Sequence, residues 1–307
     1  MLRVAIPDLV SPSYFPAIAA VELGFFKKEG LDATIELLFP VTRTYEELRD
    51  GRLDFVAGAA HAPLYAFRNW QGCKLLCALA QHMYWFLVLR KDINAARGDL
   101  AAVKGLRIGA APGPVDGLKR MLVESGVDPE RDVQIGPVPG TAGAGVSFGV
   151  AAAKALAEGK LDGFWANGMG AEIAVRDGIG TLVLDARRGD GPAGARDYTF
   201  PALVTTQRKI DEQPDVVAAA VRALTGAQQA LKREPSCATE IGKKLFPETE
   251  AGLIAELVQR DAPFYDPAIS KRSVGALNAF SRNMGLLSGE VAYEQVVATQ
   301  FQNLWKG

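Results

Sequence analysis

The sequence is poor in the residues that build metal centres and disulfide frameworks. Its three cysteines, Cys73, Cys77 and Cys237, are an odd number, which excludes a complete set of disulfides. Cys73 and Cys77 form a Cys-x3-Cys pair without cysteine or histidine partners at zinc spacing, and they lie in an apolar run where buried thiols are expected. The only histidines, His61 and His82, are too few for a His-rich metal site. No run of 18 apolar residues occurs, which argues against a membrane-spanning helix. Lysine and arginine number 34 against 35 aspartates and glutamates, a net charge of −1. Without a basic surplus to neutralise phosphates, a nucleic-acid partner is not expected. Residues 2–6 enter a strand pattern at once, with no charged segment, apolar run and cleavage site of an export signal before them. Two locations follow: periplasmic if such a signal has been trimmed, cytoplasmic otherwise.

What is present is a duplication. At roughly 150 residues per domain, a chain of 307 residues predicts two domains. Residues 48–55 (Leu-Arg-Asp-Gly-Arg-Leu-Asp-Phe) parallel 156–163 (Leu-Ala-Glu-Gly-Lys-Leu-Asp-Gly), each reading as a helix end, a glycine cap, a basic residue, then Leu-Asp opening a buried strand. Residues 3–7 likewise parallel 107–111, and 30–32 parallel 126–128. Strands are expected at 2–7, 32–39, 54–58, 73–80, 84–90, 106–111, 133–138, 162–166, 180–184 and 200–205. Helices are expected at 14–29, 42–50, 61–70, 116–125, 147–158 and 168–177, with a capping-box spacing from Thr44 to Glu47. Alternating strands and helices imply α/β units with parallel sheets covered on both faces. After residue 207 the pattern is wholly helical, at 214–233, 236–246, 249–261, 270–285 and 290–304, with Pro214, Pro235, Pro247 and Pro267 near helix starts. Lobe one is expected to comprise 1–86 and 204–307, its helical tail packing back onto it, and lobe two 87–203. Two crossovers between lobes make a hinge with a cleft.

In open α/β sheets ligands bind beyond the carboxyl ends of the strands. That rule selects the loops carrying Asp8, Tyr14 and Phe15, then Ala60 and His61, then Tyr84 and Trp85. In the second lobe it selects Gly113, Val115 and Asp116, then Thr141, then Trp165 and Asn167, with Tyr198 near the return crossover. The aromatic residues are either core or the apolar walls of a small-molecule site. Trp165 stands where the repeat has the small Ala57, which favours a wall. His61 is a cap-region histidine, a polar ligand contact, or a general acid or base. Asp8 and Asp116 are turn and cap carboxylates or acceptors for a ligand N–H. Asp54 and Asp162 recur in the repeat and point to a structural task at strand starts. The glycine-rich stretch Gly140-x-x-Gly143-x-Gly145 is neither a dinucleotide fingerprint nor a P-loop; it is a close-packing loop or one that lets backbone N–H groups approach a ligand.

Residues 13–32 carry Pro16, Ala20, Gly24-Phe25-Phe26 and Gly30-Leu31 at the spacing P-x-x-x-A-x-x-x-G-F-F-x-x-x-G-L. This resembles the opening of ABC-transporter substrate-binding proteins of the nitrate/sulfonate/taurine and thiamine-precursor group. Residues 48–58 resemble that group's L-x-x-G-x-x-D-x-x-x-G, and 100–109 its L-x-x-L-K-G-K-x-I-G. The resemblance runs in order from about residue 2 to 246. It implies a two-lobed type II periplasmic-binding-protein-like fold that closes on a small organic solute, and transient delivery to a membrane permease and ATPase. It carries family contacts onto Tyr14, Phe15, Ala60, His61, residues 113–116 and residues 165–167. Some members of the group make a thiamine pyrimidine with pyridoxal phosphate, a lysine and a histidine. Here no lysine lies between Lys28 and Lys74, so no cofactor is expected. The expectation is a monomeric binding protein for a largely apolar or aromatic solute. The alternative is a cytosolic lyase or pyrimidine-synthase-like enzyme on the same scaffold, with His61 as acid or base and Asp8 or Asp116 as its partner.

Overall fold

The computed structural model describes residues 1–141 and 147–306; Gly143 and Gly145 of the glycine-rich stretch lie outside the described residues. The chain divides into two compact units, one of Met1–Gln81 with Thr199–Gly307, the other of His82–Tyr198. It therefore passes from one unit to the other twice.

The first unit opens with β1 (Leu2–Ile6), α1 (Phe15–Glu22), α2 (Phe25–Lys28), β2 (Ala33–Leu37), α3 (Val41–Arg49), β3 (Phe55–Ala59) and β4 (Cys73–Ala78). The second contains β5 (Phe86–Arg90), β6 (Arg107–Ala110), α4 (Val115–Glu124), β7 (Gln134–Gly136), α5 (Phe148–Ala157), β8 (Gly163–Ala166), α6 (Gly168–Arg176) and β9 (Gly180–Asp185). The chain returns to the first unit through β10 (Pro201–Thr206) and α7 (Gln207–Glu212). It then runs through α8 (Pro214–Arg233), α9 (Cys237–Leu245), α10 (Glu248–Asp261), α11 (Lys271–Asn283) and α12 (Tyr293–Val296).

Every strand expected from the sequence is present, and the repeat extends to the topology. The first unit's sheet has the order β2-β1-β3-β10-β4 and the second unit's β7-β6-β8-β5-β9. The parallel-sheet expectation fails at one strand in each. β10 is antiparallel to β3 and β4, and β5 is antiparallel to β8 and β9. Each is the strand that has just crossed from the other unit. Arriving at the carboxyl edge of its neighbours, it can only run back against them. Both exchanged strands carry a register shift, between Leu203 and Val204 in one and Leu87 and Val88 in the other. Their side chains are buried almost throughout, as a central strand covered on both faces requires.

The repeated aspartates tie these sheets at one edge. The Arg3 N–H donates to Asp54 Oδ2 (2.8 Å) and the Arg107 N–H to Asp162 Oδ2 (3.0 Å). A cation following or ending each exchanged strand meets the same carboxylate: Lys209 Nζ on Asp54 Oδ1 at 2.6 Å, and Arg90 Nη1 on Asp162 Oδ1 at 2.8 Å.

Several helices differ from expectation for local reasons. The helix expected at 14–29 breaks into α1 and α2 because Gly24 adopts φ +75°, a conformation that ends one helix and starts the next. The segment 61–70 is two short 3-10 turns, Ala62–Tyr65 and Arg68–Trp70, with Asn69 in a left-handed conformation inside the second. The helix α3 starts at Val41 rather than at a Thr44 cap; Thr44 Oγ1 donates instead to the Val41 carbonyl. The short α7 went unpredicted, and 290–304 is only one helical turn followed by a 3-10 segment, Thr299–Lys306. The tail packs on the first unit as expected: α8 lies on α1 and α2, Tyr265 Oη donates to the Pro12 carbonyl (2.8 Å) and Trp305 Nε1 to the Leu76 carbonyl (3.0 Å). Cys73 and Cys77 are buried in β4, where burial pushes the Cys73 thiol up to about 12 and the Cys77 thiol higher, which favours the protonated form of both.

In the second unit α5 and α6 touch through two glycines. A Cβ on Gly170 would stand 2.2 Å from the Gly149 carbonyl oxygen, and one on Gly149 would stand 2.6 Å from Asn167 Oδ1. Backbone cannot yield that much, so Gly170→Ala is expected to cost about 2–3 kcal/mol; urea melts of the two proteins measure it. A second prediction concerns pH. The Arg107 guanidinium and N–H, with Arg90 behind them, hold the Asp162 carboxyl at about 2, below its usual 3.8. A carboxyl depressed by folding stabilises the fold fully above its unfolded value. That contribution fades as pH falls from 3.8 towards about 2. The Arg107 side chain is 45% exposed, so solvent screening reduces the effect to about 1–2 kcal/mol. Asp162→Asn should lower stability by that amount at pH 7, with the gap to wild type closing in acid.

Candidate functional site

In each unit the parallel strands end at one sheet edge, and the exchanged strand begins there. At this edge of the first unit lie the loop of residues 7–14, the end of β3, residues 79–81 and the entry to β10. The sheet edge is knitted by backbone bonds: the Ala60 N–H donates to the Phe200 carbonyl (2.8 Å) and the Leu79 N–H to the Pro201 carbonyl (2.8 Å). Asp8, Tyr14, Phe15, Ala60 and His61 therefore come together on loops of one edge. Their individual tasks differ. Asp8 is buried, and its Oδ1 accepts from the Val10 N–H at 3.0 Å, which closes the turn after β1. Phe15 sets its ring edge-on to Phe246, centroids 6.1 Å apart, in the packing between α1 and the end of α9. Tyr14 is buried at the start of α1 without a side-chain cap bond.

His61 is fully buried at the carboxyl end of β3. Its Nδ1 lies 3.0 Å from Thr199 Oγ1, and its ring stands edge-on to Phe280 at 5.4 Å and 82°. These two contacts fix the plane of the imidazole. With Nδ1 donating to Thr199, Nε2 is the acceptor nitrogen; with Thr199 donating, Nε2 carries the proton.

The second unit gathers Tyr84, Trp85, Gly113, Val115, Asp116, Thr141, Trp165, Asn167 and Tyr198 at the corresponding edge. Three rings cluster there: Tyr84 lies against Trp85 with centroids 4.6 Å apart and planes tilted by 43°, and Trp85 lies against Trp165 at 6.2 Å and 57°. Trp165 Nε1 donates to the Pro114 carbonyl at 2.9 Å, which ties β8 to the loop before α4. Gly113 takes φ +87° in that loop, and its carbonyl accepts from the Asp116 N–H at 3.1 Å, which brings Asp116 into the first turn of α4. A Cβ on Gly117 would meet Met83 Sδ at 2.8 Å and the Trp85 ring at 3.8 Å, so α4 approaches the aromatic cluster closely. Asn167 caps α6, its Oδ1 accepting from the Met169 N–H at 3.0 Å. Thr141 Oγ1 donates to the Val138 carbonyl at 2.8 Å. Tyr198 donates to Glu124, and burial together with that carboxylate pushes its phenol far up.

Three further residues at these edges carry no signal in the sequence. Ser11, in the loop after β1, is fully buried, and its hydroxyl has no hydrogen-bond partner among the described residues. His82 Nδ1 sits 2.7 Å from Asp197 Oδ1, with the Arg196 guanidinium on the other ring nitrogen. Burial holds the His82 imidazole below its usual range, Arg196 and Arg187 push the same way, and Asp197 opposes them. Arg187 is almost fully buried, while its neighbour Arg188 is half exposed and pairs with Asp185 at 3.3 Å. Nothing in an Arg-Arg pair says which member faces inward.

Among the described residues no cluster of histidine, cysteine, aspartate and glutamate fits a metal ion. Lys74, on β4, gives its ammonium to the Glu294 and Gln295 carbonyls at 2.6 and 2.8 Å. No helix among the described residues is long and apolar enough to cross a membrane.

Comparison with known proteins agrees with this architecture. The family model described as NMT1/THI5 like matches residues 11–238. No curated protein matches the sequence. Among solved structures, the alkanesulfonate-binding protein SsuA from Xanthomonas axonopodis pv. citri bound to MOPS is 16% identical, with 98% of this chain and 96% of that one covered and a TM-score of 0.71. The periplasmic nitrate-binding protein NrtA from Synechocystis PCC 6803 is 14% identical, covering 99% and 87%, with a TM-score of 0.71. The desulfurization enzyme DSZB is 17% identical, covering 99% and 98%, with a TM-score of 0.67. At such identities the likeness establishes the type II periplasmic-binding-protein fold and leaves the ligand open. Because the family model takes in most of the chain, this protein belongs to the NMT1/THI5-like family.

Proposed function

We propose that the protein binds a small, largely apolar or aromatic organic solute with the carboxyl-edge loops of both units, as the substrate-binding component of an ABC importer. The observation that carries this reading is the cluster of tilted aromatic rings, Tyr84, Trp85 and Trp165, at the edge where α/β sheets bind ligands. A ring burying about 150–200 Å² of apolar surface gains about 4–5 kcal/mol at 25 cal/mol per Å². Helix N-termini at the same edges, those of α1, α4 and α6, orient its polar end. The binding proteins for alkanesulfonates and nitrate that share the fold support the class of activity, not the solute. On this reading the protein is a monomer that works in the periplasm and meets its permease transiently.

A second reading, catalysis at His61, is favoured by one observation. The imidazole is locked by Thr199 and Phe280 beside a ligand edge, the geometry of an oriented acid or base. DSZB, an enzyme, has the same fold.

Thermal-shift screening against aromatic acids, pyrimidines, sulfonates and amino acids tests binding, since a ligand at 100 times its Kd adds about 2.7 kcal/mol of stability. With a ligand found, Trp85→Phe in one unit and Tyr14→Phe in the other are each expected to weaken affinity about 3- to 10-fold. Calorimetry that finds one of the two variants unimpaired would overturn binding by both units. Incubating that ligand with wild type and with His61→Ala separates the readings. Loss of turnover with retained affinity establishes the enzyme, and binding with no turnover in wild type removes it.

A further inference from the structure

We propose that His82, Asp197 and Arg196 form a proton-controlled brace across the two segments by which the chain passes between its units: the neutral imidazole holds Arg196, and the protonated imidazole releases it. The inference goes beyond the solute-binding reading and does not depend on it.

The two passages fall at Gln81–His82 and at Tyr198–Thr199. On the side of the second unit the segments are joined through the backbone, the Met83 N–H donating to the Arg196 carbonyl at 2.7 Å. His82 adds side-chain bonds to this one. Its Nδ1 lies 2.7 Å from Asp197 Oδ1, and Arg196 Nη2 meets its Nε2. Arg196 Nε stands farther off, 3.4 Å from Nδ1. The backbone of His82 takes φ +66°, a left-handed conformation that costs a residue with a side chain about 1–2 kcal/mol. Such a conformation persists where its surroundings over-determine it, and the bonds on both sides of the ring do so here.

The partners fix the proton. A guanidinium only donates, so the nitrogen facing Arg196 accepts; a carboxylate only accepts, so the nitrogen facing Asp197 carries the hydrogen. The neutral Nδ1–H tautomer satisfies both. A second proton goes to Nε2 and sets N–H against N–H. His82 then keeps Asp197 as an ion pair and loses Arg196, whose side chain is 42% exposed and turns to water. The charged groups acting on the ring are Asp197 and Arg196, on the second segment, and Arg187, from the turn Ala186–Arg188 that packs on the turn Ala195–Asp197. Burial and the two arginines resist the second proton and Asp197 favours it, so release belongs to pH below the usual histidine range.

The test uses the ligand-free full chain. Two-bond proton–nitrogen NMR spectra report the tautomer and its titration, with His82→Gln assigning the two imidazoles. Hydrogen exchange, corrected for the intrinsic rate, reports protection of the Met83 amide. The expected result at pH 8 is the Nδ1–H tautomer. As His82 takes its second proton, Met83 protection should fall about 3- to 10-fold, the loss of one bond from the brace. Arg196→Ala keeps the backbone carbonyl and should show the lower protection throughout the titration; if that variant does not fold, the wild-type titration decides alone. An Nε2–H tautomer at pH 8 overturns the inference. So does Met83 protection that does not follow the titration, or an imidazole that stays neutral until acid unfolds the protein.

Discussion

Each unit of this chain completes its sheet with a strand borrowed across a crossover, and in each unit one aspartate holds the edge at which that strand ends. Asp54 takes the Arg3 N–H and the Lys209 ammonium; Asp162 takes the Arg107 N–H and the Arg90 guanidinium. The carboxylate thus joins the first strand of the repeat to the exchanged one across the strand between them. The tie adds to the backbone ladders, which pair β10 as far as Thr206 and β5 as far as Arg90. The opposite edge, where the candidate site loops emerge, is built on the same strands.

At the carboxyl edges of the sheets, many of the polar side chains hold loops. Asp8 closes a turn, Asn167 caps a helix, Thr141 bonds back to Val138, and Trp165 pins the Pro114 loop. This is the arrangement that preorganised sites require: supporting bonds are made within the protein, so little ordering remains to be done when a ligand arrives. Against that background Ser11 is unlike its neighbours, because its buried hydroxyl has no hydrogen-bond partner among the described residues.

The sheets were legible because strands announce themselves locally. Apolar runs between glycines located all ten, and the Leu-Asp repeat marked Asp54 and Asp162 as structural before their partners were known. Helix limits were less legible where a single backbone conformation decides them. Gly24 divides one helix in two, and the left-handed Asn69 reduces 61–70 to 3-10 turns. Such choices depend on what the segment packs against, which a periodicity of apolar residues does not encode.

The amino-acid sequence by itself determined the α/β class, the duplication, the helical tail and the loops in which a ligand edge would form, since all of these follow from hydrophobic periodicity and turn chemistry along the chain. Only the tertiary structure decided that one strand in each sheet runs antiparallel, that Arg187 is buried while Arg188 is not, that Thr199 orients His61, and that the Ser11 hydroxyl is buried without a partner among the described residues. Those outcomes join residues far apart in the chain, and the free energy of a hydrogen bond or a buried charge is set by the neighbours that folding brings, not by those the sequence places beside it.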